Sequence, residues 1–215
     1  MIYEENRSHK KLENALFAQP NAEYRAAPFW AWNCELEREE LLRQIDIFKE
    51  MGFGGFHMHV RTGMATPYLS DAFMDLIRDC TDYAEKQEML AWLYDEDRWA
   101  SGAAGGIVTK DPAFRQRSLV FSPEAIAYNP ILDPILLKRF DVVLDEEKTL
   151  ASYRVLQEGE EATGTLWYAY RVLAEPSAWF NGQTYLDTLN PKAVQRFLKV
   201  THERYAEKVG DRFGK

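Results

Sequence analysis

Along this chain, short apolar runs alternate with amphipathic stretches in a repeating order. The run Ala27-Pro28-Phe29-Trp30-Ala31-Trp32 has strand character, and Asn33 follows it as a candidate N-cap for the next helix. Over residues 35–51, Leu41, Ile45 and Phe48 fall on one helical face with Leu42 alongside, and Gly52 stands where a left-handed C-cap is expected. Residues 54–60 read as a second buried strand, and residues 61–69, with Gly63 and Pro67, as a loop. Ser70 or Asp71 then opens a helix whose buried stripe is Phe73, Ile77, Cys80 and Ala84. A third apolar run, Leu90-Ala91-Trp92-Leu93-Tyr94, completes a β-α-β-α-β order whose short connections predict a parallel sheet.

Beyond this point the rhythm changes. Asp111-Pro112 marks an N-cap with proline at the first helical position. Residues 118–174 alternate with period two, as in Asp141-Val142-Val143-Leu144, Ser152-Tyr153-Arg154-Val155-Leu156 and residues 165–173. The polar turns between them predict a small antiparallel β-rich insertion. Residues 183–189 read as a fourth strand, and Asn190-Pro191 as the start of a helix buried through Val194, Phe197, Leu198, Thr201, Tyr205 and Val209. Residues 1–25 are a weakly patterned lead-in, which leaves 26–215 as one domain.

Composition narrows the partners. The 215 residues are 46% hydrophobic and 13% aromatic, enough for a sizeable core, and the net charge of −8 argues against nucleic acid or an anionic membrane. Cys34 and Cys80 have no metal-ligand spacing and read as reduced thiols. The first twenty residues hold no apolar leader region, and no run approaches the ~20 apolar residues of a membrane span, so the expected location is the cytoplasm.

The candidate chemistry gathers at the end of the third strand. Five apolar residues run into Asp95-Glu96-Asp97, then Arg98-Trp99, then the small residues 101–106. Carboxylates beside a core are costly unless paired, hydrated or used, and parallel sheets place ligands at strand carboxyl ends. Strand alternation puts His57 and His59 on one face with Arg61 in phase, and does the same for Trp30 and Trp32. Aromatic planes, imidazoles, a guanidinium and acids together suit a polyhydroxylated ligand. Each feature also has a plainer reading. The tryptophans can be core, the acids can form a salt-bridged rim with Arg98 and Arg61, and His-x-His alone is a weak metal signal. The small-residue loop lacks GxxxxGK[ST] and GxGxxG, which points to a mobile loop over a pocket rather than a phosphate cradle.

The strings Pro28-Phe29-Trp30-Ala31-Trp32-Asn33, Gly55-Phe56-His57-Met58-His59, Ala65-Thr66-Pro67-Tyr68-Leu69-Ser70, Trp92-Leu93-Tyr94-Asp95-Glu96-Asp97-Arg98-Trp99-Ala100-Ser101-Gly102 and Asp187-Thr188-Leu189-Asn190-Pro191 resemble glycoside hydrolase family 106, which includes α-L-rhamnosidases. The resemblance implies a TIM-type (β/α)8 barrel, present here as about four β/α units plus the insertion. It implies an inverting, carboxylate-based mechanism, with Asp95, Glu96 and Asp97 as the catalytic acids and a calcium ion in the sugar site. Trp30, Trp32, Asn33, His57, His59, Arg61, Trp99 and Asp187 would contact the carbohydrate, with Asp187 the best second carboxylate inside the chain. Since the family's next strand ends in another acidic motif, a missing second half of the barrel or self-association through the open edges is the expected partner. Two other classes stay open: a metal-dependent hydrolase of the amidohydrolase type using His57 and His59, and a catalytically incomplete carbohydrate-binding fragment.

Overall fold

A computed structural model describes residues 14–98 and 101–213. The chain divides into two compact units: the described residues up to Ile107 together with those from Gln195 onward, and Val108–Val194.

In the first unit a short helix, α1 (Asn14–Ala18), precedes β1 (Phe29–Trp32), α2 (Arg38–Glu50), β2 (Gly55–Val60), α3 (Asp71–Lys86) and β3 (Leu90–Trp92). The three strands form a parallel sheet in the order β1-β2-β3, with Phe29 opposite His57, Ala31 opposite His59, and His57 opposite Trp92. Alternation assigns the two faces. Trp30, Trp32, Phe56, Met58 and Val60 are all buried to 6% exposure or less. They meet the helices through edge-on ring contacts, Trp30 with Phe48 of α2 and Trp32 with Phe73 of α3. Phe29, His57, His59 and Trp92 lie on the opposite face.

Helix α2 starts at Arg38, with Glu37 rather than Asn33 at the N-cap position and no side-chain cap. Its end is a Schellman motif. Gly52, at φ +85°, donates to the Lys49 carbonyl and Phe53 to the Phe48 carbonyl, while the Phe48 and Phe53 rings pack 6.1 Å apart. Helix α3 is capped by Ser70, whose Oγ accepts from the Phe73 N–H at 3.2 Å, and its stripe Phe73, Ile77, Cys80 and Ala84 is buried to 1%.

Two later helices are α4 (Pro191–Val200) and α5 (His202–Val209). The sequence reads as one helix here, but the chain kinks at Thr201. Its Oγ1–H donates back to the Phe197 carbonyl at 2.8 Å, a local bond that bends helices. In the first unit α5 lies on α3, with Arg204–Asp71 and Lys208–Asp75 ion pairs and Tyr205 and Val209 in the core.

The second unit holds β4 (Arg117–Ser122), β5 (Ile135–Leu144), β6 (Leu150–Leu156) and β7 (Thr165–Leu173), an antiparallel sheet in the order β4-β7-β5-β6. Asp141 on β5 faces Arg154 on β6 and also accepts from the Thr163 and Gly164 N–H groups, tying the strand pair to the turn before β7.

The incomplete (β/α)8 barrel of about four units is therefore not what this chain forms. The parallel sheet stops at three strands among the described residues, and after β3 the chain runs through turns into the antiparallel sheet instead of a covering helix. Residues 183–189 make isolated antiparallel bridges, Arg115 with Leu186 and Ser177 with Gln183, and no parallel strand. Thr184 and Leu186 are buried, which accounts for the alternation. Asp187 then turns the backbone, its Oδ1 accepting from the Leu189 N–H and its carbonyl from Asn190. Period two reports one-sided burial, and here that burial arises without parallel pairing.

Candidate functional site

The carboxyl ends of β1 to β3 lie in the first unit, and the acid triplet follows β3 directly. Its three members have different surroundings. Glu96 is fully buried. Its Oε1 accepts from the Asp97 N–H at 2.9 Å and the Gly105 N–H at 2.7 Å, and its Oε2 from the Ala104 N–H at 2.9 Å. Ala104, Gly105 and Gly106 all adopt positive φ, a run of left-handed backbone that turns the Ala104 and Gly105 N–H groups onto the carboxyl, while the Gly106 N–H donates to the Ala103 carbonyl. Gly105 suits this place: a Cβ would stand 3.1 Å from the Asp97 Cβ at a φ of +64°. Burial pushes the Glu96 carboxyl up to about 7, against the opposing pull of the backbone N–H groups.

Asp97 is occupied by a two-pronged pair with Arg98, Nε to Oδ1 at 2.9 Å and Nη2 to Oδ2 at 3.2 Å. Arg98 itself has φ +77°, and its carbonyl accepts from the Tyr94 hydroxyl at 2.8 Å, which closes the turn. Asp95 differs from both. Its side chain is 39% exposed, one oxygen meets the Ser101 hydroxyl at 3.2 Å, and the other lies 3.9 Å from Nε2 of His202.

Asp95 and His202 line a cavity of about 340 Å³ with Leu93, Tyr94, Tyr205 and Phe213. The Tyr205 hydroxyl donates to the Tyr94 carbonyl at 3.1 Å, which joins α5 to the strand end. Burial raises the pKa of both Tyr205 and Tyr68, which keeps both hydroxyls neutral, and the two are close enough to interact. His202, Tyr205 and Tyr68 were not among the site residues read from the sequence. The signal available was the i, i+3 spacing of His202 and Tyr205, which puts both on one helical face.

The imidazoles sit on the sheet face away from the helices. His57 stacks on Trp92 at 4.8 Å, and His59 lies between the rings of Phe29 at 3.9 Å and Tyr94 at 4.0 Å. His59 is 2% exposed, its Nδ1 has no partner among the described residues, and burial, with the nearby Arg61 charge, lowers it to about 4. It is a neutral ring at ordinary pH. Arg61 and Asn33 are exposed at the carboxyl ends of β2 and β1. Trp30 and Trp32 lie on the other side of the sheet, in the helix-covered core, where the Trp30 indole donates to Gln44 at 2.7 Å. Asp187 lies in the second unit, bound to Arg117 at 2.6 Å. Trp99 lies outside the described residues.

The calcium ion implied by the resemblance does not fit this triplet. Ca²⁺ takes about six to eight oxygen ligands. Both oxygens of Glu96 already face N–H donors and both of Asp97 face a guanidinium. Among the described residues no three His, Cys, Asp or Glu side chains stand together where they could hold a metal ion. No helix among the described residues is long and apolar enough to cross a membrane.

No family model matches this sequence, and no curated protein matches it. Among solved structures, the chain is similar to a rhamnosidase from Novosphingobium sp. PP1Y, at 14% identity over 64% of this chain, with a TM-score of 0.42. It spans 17% of the length of that structure.

Proposed function

We propose that the cavity at the end of β3 binds a small carbohydrate, and that Asp95 is the carboxylate that acts on it in a glycoside hydrolase-like site of the rhamnosidase type. The observation that carries this reading is the division of labour within the triplet. Glu96 and Asp97 are consumed in building the loop, while Asp95 keeps an oxygen open to a cavity lined by tyrosines and an imidazole. Tyrosine rings offer flat apolar surface to a sugar's C–H face, and Asp95, His202 and the buried hydroxyls can bind its hydroxyls.

A second reading, binding without turnover, is supported by the same division. Inversion at a glycosidic carbon needs two carboxyls about 6.5–9.5 Å apart, and Asp95 is the one member of the triplet that lines the cavity.

Calorimetric titration with L-rhamnose, paired with turnover of an aryl α-L-rhamnoside, tests both. Saturable rhamnose binding that weakens by about tenfold in Asp95→Asn is expected, the size of losing one charge-assisted hydrogen bond. Turnover in the wild type selects the hydrolase reading, and binding without turnover the second. Absence of saturable binding, or unchanged binding in Asp95→Asn, removes the carbohydrate site altogether.

A further inference from the structure

His202 lies at the rim of the cavity, and its surroundings settle which of its ring nitrogens carries hydrogen. Thr201 is completely buried, and its hydroxyl has one hydrogen, donated to the Phe197 carbonyl at 2.8 Å. The same oxygen stands 2.9 Å from Nδ1 of His202. With its hydrogen committed, the hydroxyl can only accept, so Nδ1 is the donor. The Phe197 ring packs edge-on against the imidazole at 5.4 Å and holds its plane. In the neutral ring Nε2 is therefore a bare acceptor.

That bare nitrogen faces Asp95 Oδ2 across 3.9 Å, too far for a direct hydrogen bond and short enough for one oxygen atom to bridge. A carboxylate and an unprotonated nitrogen both offer lone pairs to the same small volume, and neither can satisfy the other. The species that satisfies both has two O–H donors on one oxygen, or one hydroxyl shared between them. We propose that Asp95 and His202 form a two-acceptor seat for a water molecule or ligand hydroxyl in this cavity, with Thr201 as the positioning residue that keeps Nε2 free. A water held there donates one hydrogen to each acceptor. When Nε2 takes its proton, the O–H electron pair stays on the oxygen, which becomes a hydroxide-like nucleophile, and the resulting imidazolium is balanced by the Asp95 carboxylate. What the oxygen attacks, or which ligand owns the hydroxyl, rests on the carbohydrate reading above. The seat itself does not.

Nitrogen-15 imidazole spectra of the full chain, recorded where the ring is neutral, test this directly. The chain has four histidines, and His202→Gln assigns the resonance. The wild type is expected to show Nδ1–H with Nε2 unprotonated. Thr201→Val is expected to move His202 toward the Nε2–H form, which can then donate to Asp95, and Thr201→Ser to restore the wild-type pattern. An Nε2–H tautomer in the wild type overturns the proposal, as does a Thr201→Val spectrum identical to wild type in a variant whose amide spectrum shows it folded. L-rhamnose, as the added probe, is expected to perturb the Nε2 resonance. If it does not while the tautomer pattern holds, the sugar reading of the cavity fails and the seat stands.

Discussion

Glu96 is the residue whose energetics depend most on its setting. Its carboxyl is raised from 4.5 to about 7, so between those values the folded chain holds a proton that the unfolded chain has released. The sign follows from linkage. This contribution is fully present below about 4.5 and is lost as pH rises through about 7, a change on the order of 3 kcal/mol. Urea denaturation across that window should therefore show the wild type losing stability toward neutral pH, with the slope flattened in Glu96→Gln. The substitution also has its own cost. Glutamine can place its carbonyl at the Oε1 position, where two N–H groups converge, but its amide then confronts the Ala104 N–H. A loss of about 1–3 kcal/mol at the acid end is expected. Unchanged slopes in the two proteins would mean that Glu96 does not titrate in this range.

At the scale of elements, helix ends show which sequence signals carry weight. Both α2 and α3 finish in Schellman motifs, but α3 does so with Glu88 at φ +57° instead of glycine, its N–H bonded to the Glu85 carbonyl and that of Met89 to the Ala84 carbonyl. Left-handed backbone costs a non-glycine residue roughly 1 kcal/mol, so Glu88→Gly, at an exposed position, is expected to stabilise the chain by about 0.5–1 kcal/mol. Thermal unfolding checks this, and a lower midpoint would contradict it.

The same scale shows what could be read in advance. Gly52, Ser70 and the stripe from Phe73 to Ala84 announced their roles because capping and helical periodicity are local. Trp30 and Trp32 did not reveal which side of the sheet they occupy: alternation says that two residues share a face and leaves open which face the helices cover. Within the acid triplet, spacing could not separate Asp95 from Glu96. That difference is made by the turn at Ala104 and Gly105, whose positive φ values bring their N–H groups onto the same carboxyl that the Asp97 N–H already meets. His202 was hidden for a related reason, since its importance comes from the kink at Thr201 inside what reads as a continuous helix.

At the scale of the whole chain, the decisive feature is that neither sheet closes among the described residues. A (β/α) rhythm over three strands is compatible with a barrel or with a short open sheet, and the choice depends on what the chain does after β3. Here it builds an antiparallel sheet, so among the described residues β1 and β3 are the edges of one sheet, and β4 and β6 of the other. An unpaired edge is a template for another strand unless proline, charge or a bulge blocks it. Strand β6 has an irregular register at its start, where Ser152 and Leu150 face the consecutive Val143 and Leu144, and little protection beyond it. Leu150, Tyr153 and Val155 are 59%, 64% and 40% exposed, and its one arginine, Arg154, is engaged with Asp141 and Glu160. Self-association through this edge is expected to grow with concentration in sedimentation velocity. Tyr153→Lys places a charge on the edge at a position where little native packing is lost, and it should shift the chain toward monomer while leaving the circular dichroism spectrum unchanged. A wild-type chain that sediments as a monomer at every concentration would show that this edge is covered or silent. Association that persists in Tyr153→Lys would move the contact to β4 or to the parallel sheet.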